Sequence, residues 1–223
     1  MSISDKNKKF SKLAALLVLL LFAIWSLSSK DMMVTESHIF EVKKGSSMGS
    51  IAKELSNKGL IKSELFFTSF SKFLNANKKL KSGYYEILPG TSVWTFIDKI
   101  STGSVLSTKV TLIEGKTIKF YFNQLTNDPS IKPSGSLKEV MTSIGINEPY
   151  DGWFFPETYS FNYGESLENV LKRAHQELMK NLMVLWDQRD KGLPLKSPYE
   201  AIILASLIEN ETALDDEKSL IAG

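Results

Sequence analysis

The fold is decided first by residues 39–59, which read IFEVKKGSSMGSIAKELSNKG. Residues 39–42 have the β-branched and aromatic content of a strand, and the Lys-Lys-Gly-Ser that follows at 43–46 is typical of a turn. Gly59 then ends a predicted helix. The apolar side chains of that helix recur at helical spacing: Met48, Ile51, Ala52 and Leu55. This stretch therefore predicts a strand that turns directly into a helix.

The alternation of short strands and helices continues up to residue 113. Residues 63–74 predict a second helix, and residues 82–88 predict a strand that a Pro-Gly turn closes. A third helix over 92–100 and a strand over 109–113 follow. Short strands mixed with helices are typical of an α+β arrangement. We therefore expect a small α+β module over residues 38–113.

Beyond this module the sequence predicts more helices around one aromatic stretch. Helices are expected over 117–125, 137–144 and 167–189. Residues 151–161, DGWFFPETYSF, place five aromatic side chains around one proline. A last helix over 199–208 is apolar on all sides, so we expect it to be buried at the centre of its domain. The fold class predicted for the whole chain is α+β.

The N-terminal segment predicts a membrane anchor. Residues 13–29 carry no charge and lie between Lys12 and Lys30, at the short end of the roughly 17–25 residues that span a bilayer. Residues 1–12 hold four lysines, so the positive-inside rule predicts a cytoplasmic stub there and exports everything after residue 30. The alternative is a cleaved signal peptide. The sequence thus predicts a single-pass protein of the plasma membrane with its bulk outside the cytoplasm.

The composition excludes several functions. Lys plus Arg number 27 against 25 Asp plus Glu, so the net charge of +2 gives no basis for a nucleic-acid partner. The chain has no cysteine, which removes disulfides, thiolate metal sites and cysteine nucleophiles. His38 and His175 are far apart and lack metal-ligand spacing. We therefore predict no metal and no cofactor.

Two carboxylates at the end of the last predicted helix are the candidate reactive groups. Residues two apart on a helix point about 200° from each other, so Glu209 and Glu211 cannot share a site unless the helix ends between them. Glu209 continues the stripe of Ile202 and Ala205. Both acids could be solvated where the helix surfaces. Alternatively, one lies at a cleft among apolar neighbours and donates a proton to a glycosidic oxygen.

Two motifs resemble those of a known family. Residues 152–159, GWFFPETY, are followed at 204–212 by LASLIENET. Together they resemble the YceG-type endolytic murein transglycosylases, in which the second motif usually ends in Glu-x-Glu-Thr. The resemblance implies a membrane-anchored enzyme with a LysM-like module over 38–113 and a catalytic domain over 114–223. Its expected partners are peptidoglycan glycan strands and the membrane, through residues 13–29.

The resemblance also implies a mechanism and a set of residues. The family's catalytic glutamate falls on Glu211, with Glu209 and Thr212 as supporting residues. One carboxyl group protonates the oxygen between N-acetylmuramic acid and N-acetylglucosamine, then accepts the proton of the C6 hydroxyl as the 1,6-anhydro ring closes. No metal, cofactor or second catalytic carboxylate is needed. The candidate substrate-binding residues are Trp153, Phe155, Glu157 and Tyr159.

The sequence departs from the family pattern after the second motif. Family members continue with a Phe-x-Asn-Arg-Leu segment, whereas this sequence stops at Gly223. We therefore expect an incomplete catalytic domain. Two other functions stay open on the sequence alone: a non-catalytic peptidoglycan-binding membrane protein, and a scaffold that recruits cell-wall synthases.

Overall fold

The chain contains two compact units of mixed helices and strands. The computed structural model describes residues 31–76, 79–212 and 214–222. The first unit ends at Leu106 and the second begins at Ser107. The predicted α+β class is confirmed. Among the described residues no helix is both long and apolar enough to cross a membrane, and the predicted span at 13–29 lies outside them.

In its described residues, 31–76 and 79–106, the first unit has one antiparallel strand pair and three helices. Its elements in chain order are β1 (His38–Val42), α1 (Met48–Asn57), α2 (Glu64–Phe73), β2 (Gly83–Ile87) and α3 (Val93–Thr102). His38 lies opposite Ile87 in the strand pair, and Val42 lies opposite Gly83. The two strands and three helices predicted between residues 39 and 100 are all present, with bounds shifted by a few residues.

Serine side chains begin helices α1, α2 and α3. Ser47, Ser63 and Ser92 each accept a hydrogen bond from the backbone N–H three residues later. Each bond satisfies a donor that the first helical turn leaves without an intrahelical partner. Gly103 ends α3 with φ of 82°, a left-handed conformation that glycine adopts without steric cost.

The core of the first unit is aromatic where strands and helix α3 meet. Phe96 of α3 packs edge-on against Phe40 of β1 at 5.8 Å and against Tyr85 of β2 at 6.4 Å between ring centroids. All three side chains are fully buried. The Tyr85 hydroxyl donates a hydrogen bond to the Lys81 carbonyl at 2.9 Å, which satisfies its polar end inside the core.

The chain enters the first unit along the start of α3. Asp31 forms an antiparallel bridge with Ser92. The Met32 N–H donates to the Thr91 carbonyl at 3.0 Å, and the Met32 side chain is buried. Met33 N–H donates to the Leu60 carbonyl at 2.8 Å. These bonds fix residues 31–33 to the folded unit.

The second unit combines two small strand pairs with five helices in the described part of the chain. Its elements are β3 (Ser107–Thr111), α4 (Ile118–Thr126), β4 (Ile131–Lys132), α5 (Leu137–Ile144), β5 (Thr158–Asn162), β6 (Glu165–Ser166), α6 (Leu167–Gln188), α7 (Pro198–Glu211) and α8 (Asp215–Ile221). Strands β3 and β5 pair antiparallel, whereas β4 and β6 pair parallel. The predicted module over 38–113 included β3, which the structure pairs with β5.

The core of the second unit lies between α4, α5, β5 and the first half of α6. Leu125, Met141, Leu167 and Leu171 are fully buried in it. The second half of α6 is different, because residues 183–185 are exposed. The long helix therefore packs on the core over its first turns and leaves it toward its end.

Helix α7 is not buried at the centre of its domain, so that prediction is wrong. Of its described residues only Ile202 is buried, whereas Ile203 is 45% exposed and Leu207 is 64% exposed. The helix is held along one side, where Ile202 lies against the turn at Gly152. Apolar composition on all faces indicates that a helix can be buried, but it does not supply the elements that would cover every face.

Candidate functional site

The second unit contains a cavity of about 560 Å³ beside helix α7. Its walls come from α7, the second half of α6, the start of α4 and the loop over 151–156. Apolar side chains make up much of the wall: Ile118, Phe154, Phe155, Leu182 and Ile202. Charged and amide side chains also line it: Glu114, Lys116, Asp151, Arg189, Glu209 and Asn210. An apolar pocket with a few polar groups has the character of a ligand site.

Glu209 is the carboxylate of the predicted pair that lines the cavity. Ile202 and Ala205 line it too, which agrees with the stripe that the sequence predicted. Lys218 Nζ of α8 lies 2.9 Å from Glu209 Oε2, and both side chains are partly exposed. Glu209 is thus an acidic group at an open cavity with a cation beside it.

Glu211 has a different position. Helix α7 runs through both glutamates, so their side chains leave it in nearly opposite directions. Glu211 is exposed and does not line the cavity. Glu209 therefore lines the cavity, whereas Glu211 lies at the surface.

A glycine turn brings the backbone close to the end of α7. Gly115 has φ of 69°, and a Cβ atom there would lie 3.5 Å from Asn210 Oδ1 and 4.0 Å from Glu209 Cγ. The left-handed backbone of Gly115 therefore passes within contact distance of the acid-bearing turn. Gly115 was not predicted as a site residue.

Asp151 ties the aromatic loop to the start of α4. Its Oδ1 accepts a hydrogen bond from the Ile118 N–H at 2.7 Å. This N–H belongs to the first turn of the helix, which has no intrahelical acceptor for it. Asp151 lines the cavity and was not predicted as a site residue.

The aromatic motif divides between the cavity and the protein interior. Phe155 lines the cavity, and its N–H donates to the Ala174 carbonyl at 3.1 Å. Tyr159 is buried in the core, and its hydroxyl donates to the Phe155 carbonyl at 2.8 Å. Burial, together with the charges of Glu157 and Glu177, raises the pKa of Tyr159 to about 12. Tyr159 thus positions Phe155 from behind.

Trp153 packs against α7 outside the cavity. Its ring stacks on Tyr199 with centroids 4.9 Å apart and planes 13° apart. The indole Nε1 donates to the Pro149 carbonyl at 3.0 Å, and His175 Nδ1 donates to the Trp153 carbonyl at 2.9 Å. These contacts account for its polar groups and anchor the start of α7.

The two remaining predicted residues also lie away from the cavity. Glu157 is exposed and accepts a hydrogen bond from the adjacent Thr158 N–H at 2.9 Å. Thr212 is buried, and its hydroxyl donates to Glu217 Oε2 at 2.7 Å. Thr212 therefore connects the end of α7 to α8. Of the seven predicted site residues, the cavity is lined by Phe155 and Glu209.

Several cavity residues were missed by the sequence reasoning. The Tyr121 hydroxyl donates to the Ile113 carbonyl at 2.5 Å, and burial together with the charge of Glu114 raises its pKa to about 12. Arg189 holds its guanidinium 3.6 Å from the centroid of the Trp186 ring. Asn210 lies inside the second motif, and Phe154 and Pro156 lie inside the first, so these three had a sequence signal. In the described part of the chain no group of three or more His, Asp or Glu side chains is arranged to hold a metal ion.

Comparison with known proteins gives relatives of one kind. An endolytic murein transglycosylase of Streptococcus pneumoniae (strain ATCC BAA-255 / R6) is 26% identical over an alignment of 216 residues, and the match covers 82% of this chain and 38% of that protein. An endolytic murein transglycosylase of Bacillus subtilis (strain 168) is 24% identical over 207 residues, covering 81% of this chain and 56% of that protein. The chain therefore spans about two fifths to just over half of the length of these curated relatives.

A solved structure of a yceG-like protein from Listeria monocytogenes is similar at 19% identity, covering 83% of this chain and 67% of that one. Its TM-score of 0.33 is too low to say anything about the fold. The sequence profile of the YceG-like family matches residues 40–223, which is most of the chain. On that match, and as the two sequence motifs predicted, the chain belongs to the YceG-like family.

Proposed function

We propose that this chain acts as an endolytic murein transglycosylase, cutting the linkage between N-acetylmuramic acid and N-acetylglucosamine within peptidoglycan glycan strands. Family membership and the names of the relatives support the reaction class. The observation that carries the proposal is Glu209, a carboxyl group on the wall of an open cavity that is large enough for sugar rings.

The proton donor is one of the two glutamates of the second motif. The resemblance to the family favours Glu211, whereas the position on the cavity wall favours Glu209. We propose Glu209 as the reacting group, because a proton can pass only between atoms within hydrogen-bond reach of each other. Glu211 then stands as the alternative, and the experiment below separates the two.

A single carboxyl group can complete the reaction. Protonated Glu209 gives its proton to the glycosidic oxygen as the bond from that oxygen to C1 of the muramic acid breaks. The C6 hydroxyl oxygen of the same sugar bonds to C1, and its proton passes to the Glu209 carboxylate. The products are a free N-acetylglucosamine hydroxyl and a 1,6-anhydro end, and the carboxyl group returns to its first state without consuming water.

The ion pair with Lys218 must open before Glu209 can act as an acid. Both side chains are partly exposed, and exposed ion pairs contribute only about 0–1 kcal/mol.

We also propose that residues 13–29 are retained as a membrane anchor and that both units lie outside the cytoplasm. The support is the uncharged segment between Lys12 and Lys30 and the excess of lysines before it. This location puts the cavity in the compartment that contains peptidoglycan.

The test compares two variants of one helix, Glu209→Gln and Glu211→Gln. The purified chain is incubated with glycan strands, and mass spectrometry counts the 1,6-anhydro ends. We expect Glu209→Gln to lose about 10²–10⁴-fold in rate and Glu211→Gln to stay close to wild type. Glutamine keeps the shape of the side chain, so each variant serves as the control for the other.

Each other outcome has a definite meaning. Loss of cutting in Glu211→Gln alone would restore the assignment that the motif favours. If wild type and both variants bind strands but none cuts them, the chain is a binding protein and the proposed activity is wrong. If neither cutting nor binding occurs while cell-wall synthases co-purify through residues 13–29, the scaffold function is correct.

A further inference from the structure

Helices α2 and α3 of the first unit expose a cluster of aromatic rings. Phe73 is 79% exposed and Trp94 is 52% exposed. Phe70 connects them, because its ring centroid lies 6.4 Å from that of Phe73 and 5.9 Å from that of Trp94. We define Phe70, Phe73 and Trp94 as the aromatic face. Contiguous exposed rings of this size mark a surface at which something docks.

Lysines flank the aromatic face. Between Glu64 and Glu86 the sequence contains no acidic residue. The lysines in this interval are Lys72, Lys78, Lys79 and Lys81. Lys72, Lys79 and Lys81 are described and exposed, and the Lys81 N–H donates to the Ile100 carbonyl of α3 at 2.9 Å. Two exposed acidic residues also lie near α3: Asp98, one turn after Trp94, and Asp31, which bridges Ser92. The excess of positive charge therefore lies along residues 72–81.

The chain enters the first unit beside this face. Asp31 bridges Ser92, and Ser92 is the N-cap of the helix that carries Trp94 near its start. The proposed anchor ends at Ser29 in the sequence, and two residues of extended chain reach at most about 7 Å. If residues 13–29 span the bilayer, the start of α3 therefore lies at the membrane surface.

We infer that the aromatic face sits in the lipid–water interface of the membrane, with the flanking lysines on anionic lipid headgroups. The inference rests on the proposed anchor. Tryptophan and phenylalanine favour the interface, where the ring meets the acyl region and polar groups stay wet. Lysines attract an anionic leaflet. Aromatic rings also stack on sugars, but the entry of the chain beside Trp94 and the lysine flank favour the lipid surface.

A single spin label can test this inference, because the chain has no cysteine of its own. Phe73→Cys receives a nitroxide label. Lys53→Cys on α1, which is also exposed, is the control. The intact chain is reconstituted into vesicles of equal parts phosphatidylcholine and phosphatidylglycerol. Power saturation with oxygen, which concentrates in lipid, and with a nickel chelate, which stays in water, gives an accessibility ratio at each position.

We expect the oxygen-to-nickel ratio at position 73 to exceed that at position 53 several-fold. The excess should shrink in vesicles of phosphatidylcholine alone, and also when Lys72→Gln, Lys79→Gln and Lys81→Gln are combined. Equal ratios at the two positions in the anionic vesicles would overturn the inference. A label at position 73 that responds to free glycan strands and shows no lipid signature would assign the face to sugar binding instead, and would equally overturn it.

A separate experiment tests whether residues 13–29 anchor the chain in the membrane. Alkaline carbonate removes peripheral proteins and leaves a spanning chain in the vesicles. If the chain stays in the vesicles while the label at position 73 has an aqueous accessibility ratio, the inference about the aromatic face is wrong and the anchor is supported. If carbonate removes the chain, but the label at position 73 had the lipid signature before removal, the inference about the aromatic face is supported and the anchor is wrong. Glycan cutting should be unchanged in Phe73→Cys, because that residue lies outside the unit that contains the cavity.

Discussion

Replacing Gly152 with alanine puts a methyl group where the structure leaves little room for one. The new Cβ would lie 2.7 Å from Ile202 Cγ2, the side chain by which α7 is buried. Gly145 provides a matched control, since it too has positive φ, 88° against 84°, but no atom lies within 4 Å of its added Cβ. The pair separates the strain of the backbone from the contact with α7.

The expected magnitudes follow from these two terms. Alanine in the left-handed conformation costs about 1–2 kcal/mol, and both variants bear that cost. The carbon contact is far shorter than the 3.5–4.0 Å optimum, and crowding of this kind costs about 1–3 kcal/mol more. We therefore expect Gly152→Ala to lose about 2–5 kcal/mol of unfolding free energy, and Gly145→Ala to lose about 1–2 kcal/mol.

Hydrogen exchange in increasing urea, measured on peptides of α5 and α7, gives the stability of the second unit for each variant. In an Ile202→Ala background the excess cost of Gly152→Ala should vanish, because the opposing methyl is gone. Displacing α7 also moves Glu209, and a shift of about 1 Å can lower a catalysed rate about 10²-fold. If Gly152→Ala and Gly145→Ala agree within about 0.5 kcal/mol, the described contact between Gly152 and α7 does not exist.

Two further predictions concern exposure and ionisation. Leu207→Ser should change the unfolding free energy by less than about 0.5 kcal/mol, whereas Ile202→Ala should cost about 2–5 kcal/mol; equal losses in urea unfolding would show that α7 is covered on both sides. Alkaline titration of phenolate absorbance should show Tyr121 and Tyr159 ionising near pH 12. Folding raises both pKa values above the ordinary 10, so the neutral hydroxyls stabilise the folded state. Their contribution to the free energy of unfolding is fully present below pH 10 and is lost as the pH rises toward 12. Titration of both groups at 10 in the folded protein would contradict their burial.

Local signals account for the parts of the fold that the sequence predicted well. The strand at β1 and the helix that begins at Met48 follow from a polar turn, a serine cap and apolar spacing, all within about twenty residues. Helix α3, predicted over 92–100, likewise begins at a serine cap, Ser92, and ends at Gly103. Such features depend on neighbours in the chain, so periodicity and capping reveal them.

Contacts between distant segments explain what the sequence could not predict. Strand β3 pairs with β5 about fifty residues later, and no local pattern names that partner. The face of α7 that points to the cavity is fixed by Gly152 and Trp153, so the second motif identified the glutamate pair but not the member that lines the cavity. The role of Asp151 could not be predicted either, because it accepts a hydrogen bond from the first turn of α4 only once that helix is folded beside it.

The hydroxyl of Thr212 joins the end of α7 to α8 by donating a hydrogen bond to Glu217. The next residue of α8, Lys218, places its ammonium 2.9 Å from Glu209 Oε2. A start displaced by one position would swing that ammonium by about 100° around the helix axis. The electrostatic state of the cavity mouth is therefore coupled to the register of a neighbouring short helix.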